Sequence, residues 1–229
     1  MKKIARIVGV VVVFGLILLA IITSNIKSAD VSAKVWTEAM TLGDPVTATR
    51  HYVVYTDLMC PYCNYYAREI QENDAEFRQY LADNKIAYEV RVTDMLYESS
   101  GVEFSRPAAE GAYCAAREGK FWDYYHNALD HIFKDYYEKG VGYSKTAPMI
   151  SDMTRDYWKG IGTEIGLGDD FVLCFDTRDA VSEVQENTLR ASSVAAGLPY
   201  FVFGKFSTGG FDPSWDWATV KSMLDQGLK

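Results

Sequence analysis

The sequence predicts one α/β domain interrupted by an inserted α-helical domain and preceded by an N-terminal transmembrane helix. Three observations carry this expectation. A long uncharged run opens the chain, and a strand–helix–strand pattern lies between about residues 51 and 94. A mainly helical stretch from about Phe104 to Ala196 then separates that pattern from a closing strand pair and helix. With 229 residues, 48% hydrophobic and 14% aromatic, the chain can bury one good core.

The N-terminus carries Lys2, Lys3 and Arg6, and no charge follows from Ile7 to Ile26. At about 1.5 Å per helical residue such a run reaches roughly 30 Å, enough to cross a bilayer core. A cleaved signal would have a shorter apolar core, and the small-residue stretch Val31-Ser32-Ala33 lies well past the run. Residues 1–29 are therefore read as a membrane anchor (or signal segment) and 30–49 as a linker and lead-in. Basic residues before the span hold that end in the cytoplasm, so the chain from Lys27 onward is expected to be extracytoplasmic, tethered to the cell membrane.

Residues 30–229 hold 19 basic and 31 acidic side chains, a net of −12. That balance argues against nucleic acid or anionic lipid as a ligand of the body. Export also changes what cysteine means: outside the cytoplasm the four cysteines read first as disulfides. A zinc site would call for a second Cys-x-x-Cys or paired histidines. His51, His126 and His131 are scattered, so no metal is expected.

The elements follow in order. His51–Thr56 is β-branched and aromatic, a buried strand. Pro61 suits the first helical position, where its missing N–H costs nothing, which makes Cys60 the N-cap and Cys63 the third helical residue. Apolar spacing through Tyr66, Ile70, Phe77 and Leu81 extends this as one helix. Lys85–Asp94 alternates, with Ile86, Tyr88, Val90 and Val92 on one face, so a second strand parallel to the first is expected. Residues 50–96 and 197–229 then form the α/β domain around an insertion of residues 97–196. Within the insertion, Phe121, Trp122, Tyr125, Leu129 and Phe133 form a stripe, and Gly119 and Gly197 are natural helix stops. Tyr200–Phe203 reads as a strand, with Gly204 and Gly209-Gly210 giving hairpin turns. Asp212-Pro213 reads as the N-cap and first residue of a last helix, with Trp217, Val220 and Leu224 inward.

The chemistry gathers at Cys60-Pro61-Tyr62-Cys63. A sulfur at the N-cap faces the free amides of Tyr62 and Cys63 and the positive end of the helix dipole, which favour its thiolate. A stabilised thiolate is a good leaving group, so a Cys60–Cys63 disulfide would be reactive, with Cys63, deeper in the helix, resolving the mixed disulfide. A structural bridge would gain little from closing so small a loop. Asp57, three residues before Cys60, suits either tuning of the thiol or a turn.

Tyr55-Thr56-Asp57 before Cys-Pro-Tyr-Cys, "YCAAREGKFWDYYHNAL" (Tyr113–Leu129) and "AAGLPYFVFGK" (Ala195–Lys205), in that order across about residues 40–229, resemble the DsbA-like thiol–disulfide oxidoreductases. The resemblance implies a thioredoxin fold with a helical insertion, Cys60 and Cys63 as the catalytic pair, and a cis-proline at Pro199. It also implies a substrate site formed by Leu198, Pro199, Pro61 and Tyr62, with an extended substrate pairing to the Leu198 backbone. Cys114 and Cys174 lie where some relatives carry a structural disulfide. Leu198 and Tyr62 depart from the pattern: many relatives have Thr or Val before the proline, and the best-known oxidases have His at the Tyr62 position. The implied activity is oxidation of reduced exported proteins or peptides, without cofactor, with reoxidation by a quinone-linked membrane partner of the DsbB or VKOR type. An isomerase or reductase on the same fold, and an anchored adaptor whose Cys60–Cys63 bridge is structural, are the competing readings.

Overall fold

The computed structural model describes residues 38–143 and 148–229. The anchor expected over residues 1–29 lies outside the described residues, and among those described no helix is long and apolar enough to cross a membrane. Residues 39–229 form one unit, built on a five-stranded sheet ordered β1-β3-β2-β4-β5. Its strands are β1 Thr41–Leu42, β2 Arg50–Thr56, β3 Ile86–Val92, β4 Tyr200–Phe203 and β5 Phe206–Gly209.

β2 and β3 run parallel from Arg50 opposite Ile86 to Thr56 opposite Val92, as expected of strands joined through a helical crossover. β4 is antiparallel to β2, pairing Tyr55 with Tyr200, and β5 closes the hairpin through Gly204 at φ +62. β1 is a two-residue strand of the lead-in, antiparallel to β3 and too short to leave a pattern in the sequence.

The crossover is α1 Pro61–Glu72 and α2 Asp74–Asp83, where one continuous helix was expected. The break falls at Asn73 (φ −113, ψ 25). Its side-chain amide donates to the Glu69 carbonyl at 2.9 Å, the local competition with helical bonding that asparagine offers. Tyr66 from α1 and Phe77 from α2 reach one face of the sheet. There Tyr66 meets Phe201 edge-on, Phe77 meets Tyr88, and Tyr52 stacks on Phe203. β3 is covered on both sides, so Ala87 and Glu89 are buried along with the alternating apolar set. Glu89 is satisfied there by Arg91 at 2.8 Å and His51 at 3.2 Å.

The insertion comprises α3 Met95–Ser100, α4 Ser105–Arg117, α5 Phe121–Asp135, α6 Arg155–Glu164, α7 Asp169–Thr177 and α8 Val181–Val194. Gly119, at φ +68, stops α4 as expected. Gly197 stops nothing: α8 ends at Val194, where Ala195 turns extended (φ −103, ψ 128). The buried stripe of α5 is Phe121, Tyr124, Tyr125, Ala128, Leu129 and Ile132. Trp122 and Phe133 are half-buried at its edges, and the Arg68 guanidinium lies 3.9 Å over the Phe133 ring. The last helix, α9 Trp217–Leu224, starts later than expected. Asp216 caps it, accepting from the Thr219 amide at 2.9 Å and hydroxyl at 2.7 Å. Asp212 instead closes a turn onto Ser214.

Candidate active site

β2 delivers the chain to the site and α1 receives it. Between them, the Asp57 carbonyl accepts from the Cys60 amide at 2.9 Å and the Asp57 carboxylate from the Met59 amide at 2.9 Å, folding Asp57–Cys60 into a turn. Cys60 is then the N-cap of α1, with Pro61 at the first helical position. Sequence reasoning reached this placement because proline's fixed φ and missing donor admit few other positions.

The capping bond itself differs from expectation. The Cys60 sulfur does not accept from the first amides of α1. Its thiol donates to the Leu198 carbonyl at 3.6 Å. In the dithiol the sulfur carries a proton, and a peptide carbonyl is a better partner for S–H than an amide is for neutral sulfur. The Leu198–Pro199 bond is cis, and the Pro199 carbonyl is taken by the Gly210 amide at 2.8 Å.

Cys63 lies beside Cys60 and is wholly buried, whereas Cys60 keeps 5% exposure. Both are free thiols. Burial first, then the neighbouring Cys60 sulfur, push the Cys63 thiol well above its ordinary range. The asymmetry suits a sequence in which Cys60 meets a partner and Cys63 follows.

Asp57 has no exposure and acts mainly as a knot. Beyond the Met59 amide, its second oxygen accepts from the Leu96 amide at 2.9 Å and the Ser105 hydroxyl at 2.6 Å, tying the loop to α3 and α4. Desolvation outweighs these donors and raises the carboxyl to about 6.

Several neighbours carried no signal of a place at the site: Tyr137 and Tyr125 come from distant segments, and Asn64 is marked only by its contact with Leu129. Tyr137, in a short 3-10 turn after α5, donates its hydroxyl to the Met59 carbonyl at 2.8 Å and is nearly buried over the dithiol. Tyr125 of α5 lies close to Thr56, Cys63 and Tyr66. Asn64, one residue beyond Cys63, fixes α1 to α5 by donating to the Leu129 carbonyl at 2.8 Å. Beside Cys60 opens a groove of about 630 Å³ lined by Tyr62, Leu198, Gly210, Phe211, Asp212 and Pro213. Tyr62 is 49% exposed, so its ring is available to whatever enters.

Cys114 of α4 and Cys174 of α7 are bonded, across 60 residues of chain. Nearby, the buried Glu110 of α4 holds Arg155 at the start of α6 at 2.7 Å and Arg178 just past the end of α7 at 3.1 Å. This second pair fastens the insertion and lies outside the site.

No sequence-family model matches the chain, and no curated protein does. Solved structures do. A thioredoxin-like oxidoreductase from Silicibacter pomeroyi DSS-3 aligns with a TM-score of 0.58 at 18% identity, covering 82% of this chain and 91% of that one. The thiol-disulfide exchange protein alpha-DsbA2 from Wolbachia pipientis aligns at 0.56 and 18% identity, covering 90% and 98%. The catalytic domain of ScsC from Proteus mirabilis aligns at 0.51 and 17% identity, covering 86% and 97%. This chain has the fold of the DsbA-like oxidoreductases, a thioredoxin-like α/β core with a helical insertion.

Proposed function

We propose that this chain is an extracytoplasmic thiol–disulfide oxidase that introduces disulfides into exported proteins through Cys60 and Cys63. The observation that carries the reading is the dithiol itself. Cys60 sits at the mouth of α1 against the Leu198 carbonyl, and Cys63 is buried behind it. The unequal burial of the two sulfurs, with Cys60 beside the groove and Cys63 behind it, favours an exchanging pair over a structural bridge.

The cycle starts from the Cys60–Cys63 disulfide. A substrate thiolate attacks Cys60 Sγ, forming a mixed disulfide, and the electron pair of the broken bond goes to Cys63 Sγ. A second substrate thiolate attacks the substrate sulfur of that mixed disulfide and releases Cys60. The substrate loses two electrons and the enzyme gains them; the protons released by the substrate thiols end on Cys60 and Cys63. The groove formed by Tyr62, Leu198, Phe211 and Pro213 would hold apolar substrate side chains, with the Leu198 backbone beside the reacting sulfur. The uncharged run of residues 7–26 supports a membrane tether with a cytoplasmic N-terminus and an extracytoplasmic catalytic domain. A quinone-linked membrane partner of the DsbB or VKOR type would then take the electrons.

The test is to mix oxidised protein with a reduced two-cysteine peptide and count thiols. The expected result is loss of two peptide thiols for two gained at Cys60 and Cys63. Faster reduction of insulin than oxidation of the peptide would instead make the chain a reductase. Resistance of Cys60–Cys63 to mild dithiothreitol would make it a structural bridge.

A further inference from the structure

Thr56 ends β2 one turn of chain before the dithiol, and it is 1% exposed. Its hydroxyl lies beside the Cys63 sulfur and the Tyr125 hydroxyl. It stands at the edge of hydrogen-bonding reach of both, and no partner meets it at full hydrogen-bond geometry. A buried hydroxyl without a partner costs about 1–3 kcal/mol, and valine would occupy the same strand position at no such cost. A donor left idle in the resting state is explained if its partner appears only during the reaction.

Cys63 is where such a partner would appear. When the Cys60–Cys63 bond opens, Cys63 receives the electron pair in a fully buried place, where charge is strongly disfavoured. The groups around it include Cys60, the Thr56 hydroxyl, the Asp57 backbone and the tyrosines Tyr125 and Tyr137. The Asp57 carboxylate is occupied on both oxygens by Met59, Leu96 and Ser105.

We propose that the Thr56 hydroxyl is the donor that stabilises the Cys63 thiolate as it leaves, a catalytic role additional to the cysteine pair and resting on the exchange reading above. In the attack step the new bond joins the incoming sulfur to Cys60 Sγ, and the Cys60–Cys63 bond breaks with its electrons going to Cys63. Thr56 Oγ1–H turns onto the new thiolate without giving up its proton. Cys63 is later neutralised by a proton released from the substrate thiols. Because a disulfide sulfur is a weak acceptor and a thiolate a strong one, the bond strengthens as Cys63 leaves, and that gain lowers the barrier.

The experiment compares Thr56→Val and Thr56→Ser with the parent in the full chain, following reduction of the Cys60–Cys63 disulfide by dithiothreitol together with thermal melting. Dithiothreitol opens the bond whatever the natural direction of electron flow. Valine is expected to slow opening by about ten- to hundredfold, the value of a hydrogen bond to a charged group. Its melting temperature should be equal or higher, and serine should stay close to the parent rate. Equal rates in the valine variant and the parent, or a serine variant as slow as valine, overturn the proposal. A parent disulfide that opens no faster than one in an unstructured peptide overturns the exchange reading instead, so the two failures are distinguishable.

Discussion

The Cys60 thiol donates to the Leu198 carbonyl at 3.6 Å, a contact between residues 138 apart in sequence. The two ends of the α/β core meet in this bond, because β2 leads into Cys60 and β4 follows Leu198. On the proposed exchange reading, a substrate held in the groove beside Cys60 would meet Leu198, one of the groove's lining residues. Leu198→Thr removes apolar surface there worth about 1 kcal/mol. The expected outcome is a drop of roughly fivefold in kcat/KM for peptides with a large apolar residue beside the cysteine, with dithiothreitol reduction unchanged. An equal effect on both reagents would mean that Leu198 supports the site rather than reading the substrate.

The unequal burial of the two cysteines gives them separable roles. With Cys63→Ala, attack by Cys60 on a substrate disulfide should stop at a stable mixed disulfide, visible as a covalent adduct by mass spectrometry. With Cys60→Ala, the fully buried Cys63 should form no adduct. Adducts of similar yield in both variants would contradict the assignment.

The Cys114–Cys174 bridge should matter to stability and not to exchange. In the chain-entropy model, closing a loop across 60 residues is worth about 4 kcal/mol. A Cys114→Ala, Cys174→Ala double variant should lose approximately that much in denaturant unfolding. Below its melting transition it should still open and close Cys60–Cys63 at the parent rate. A large loss of exchange rate in folded double variant would show that the insertion transmits to the site.

What the sequence disclosed and what it hid divide along local and distant causes. Pro61 placed Cys60 at a helix mouth because one residue's stereochemistry is enough. The alternation of Ile86, Tyr88, Val90 and Val92 placed β3 because period two is written along the chain. Asn73 broke the helix against an unbroken apolar period, since its side-chain bonds to the Glu69 carbonyl and carboxylate outweigh a pattern that continues past it. Asp212 and Asp216 both resemble caps and each accepts two bonds, but Ser214 lies two residues on, as in a turn, and Thr219 three residues on, as in a helix cap. Tyr125 and Tyr137 beside the dithiol, and Ser105 on the Asp57 carboxylate, left no local signal. Each is chosen by tertiary contact, and tyrosines are frequent enough here that no single one stands out.

Asp57 makes the fold's stability sensitive to pH in a defined direction. Its carboxyl titrates near 3.9 in an unfolded chain and is raised to about 6 in the fold, chiefly by burial. Below about pH 4 both states are protonated, and the fold bears no charge penalty from this group. Between about 4 and 6 the native state keeps a proton that the unfolded state has lost, so stability falls as pH rises. Above 6 both are ionised, and the loss levels off at about 3 kcal/mol. Asp57→Asn stays neutral throughout. It forfeits part of the bonding to Met59, Leu96 and Ser105, but by an amount that pH does not change. The stability of the Asn variant relative to the parent should therefore improve by about 3 kcal/mol from pH 4 to pH 7, measured by urea unfolding, in which the other titrating groups cancel. A difference flat across that interval would mean that the three donors hold the buried carboxylate charged, and that its burial costs the fold nothing at neutral pH.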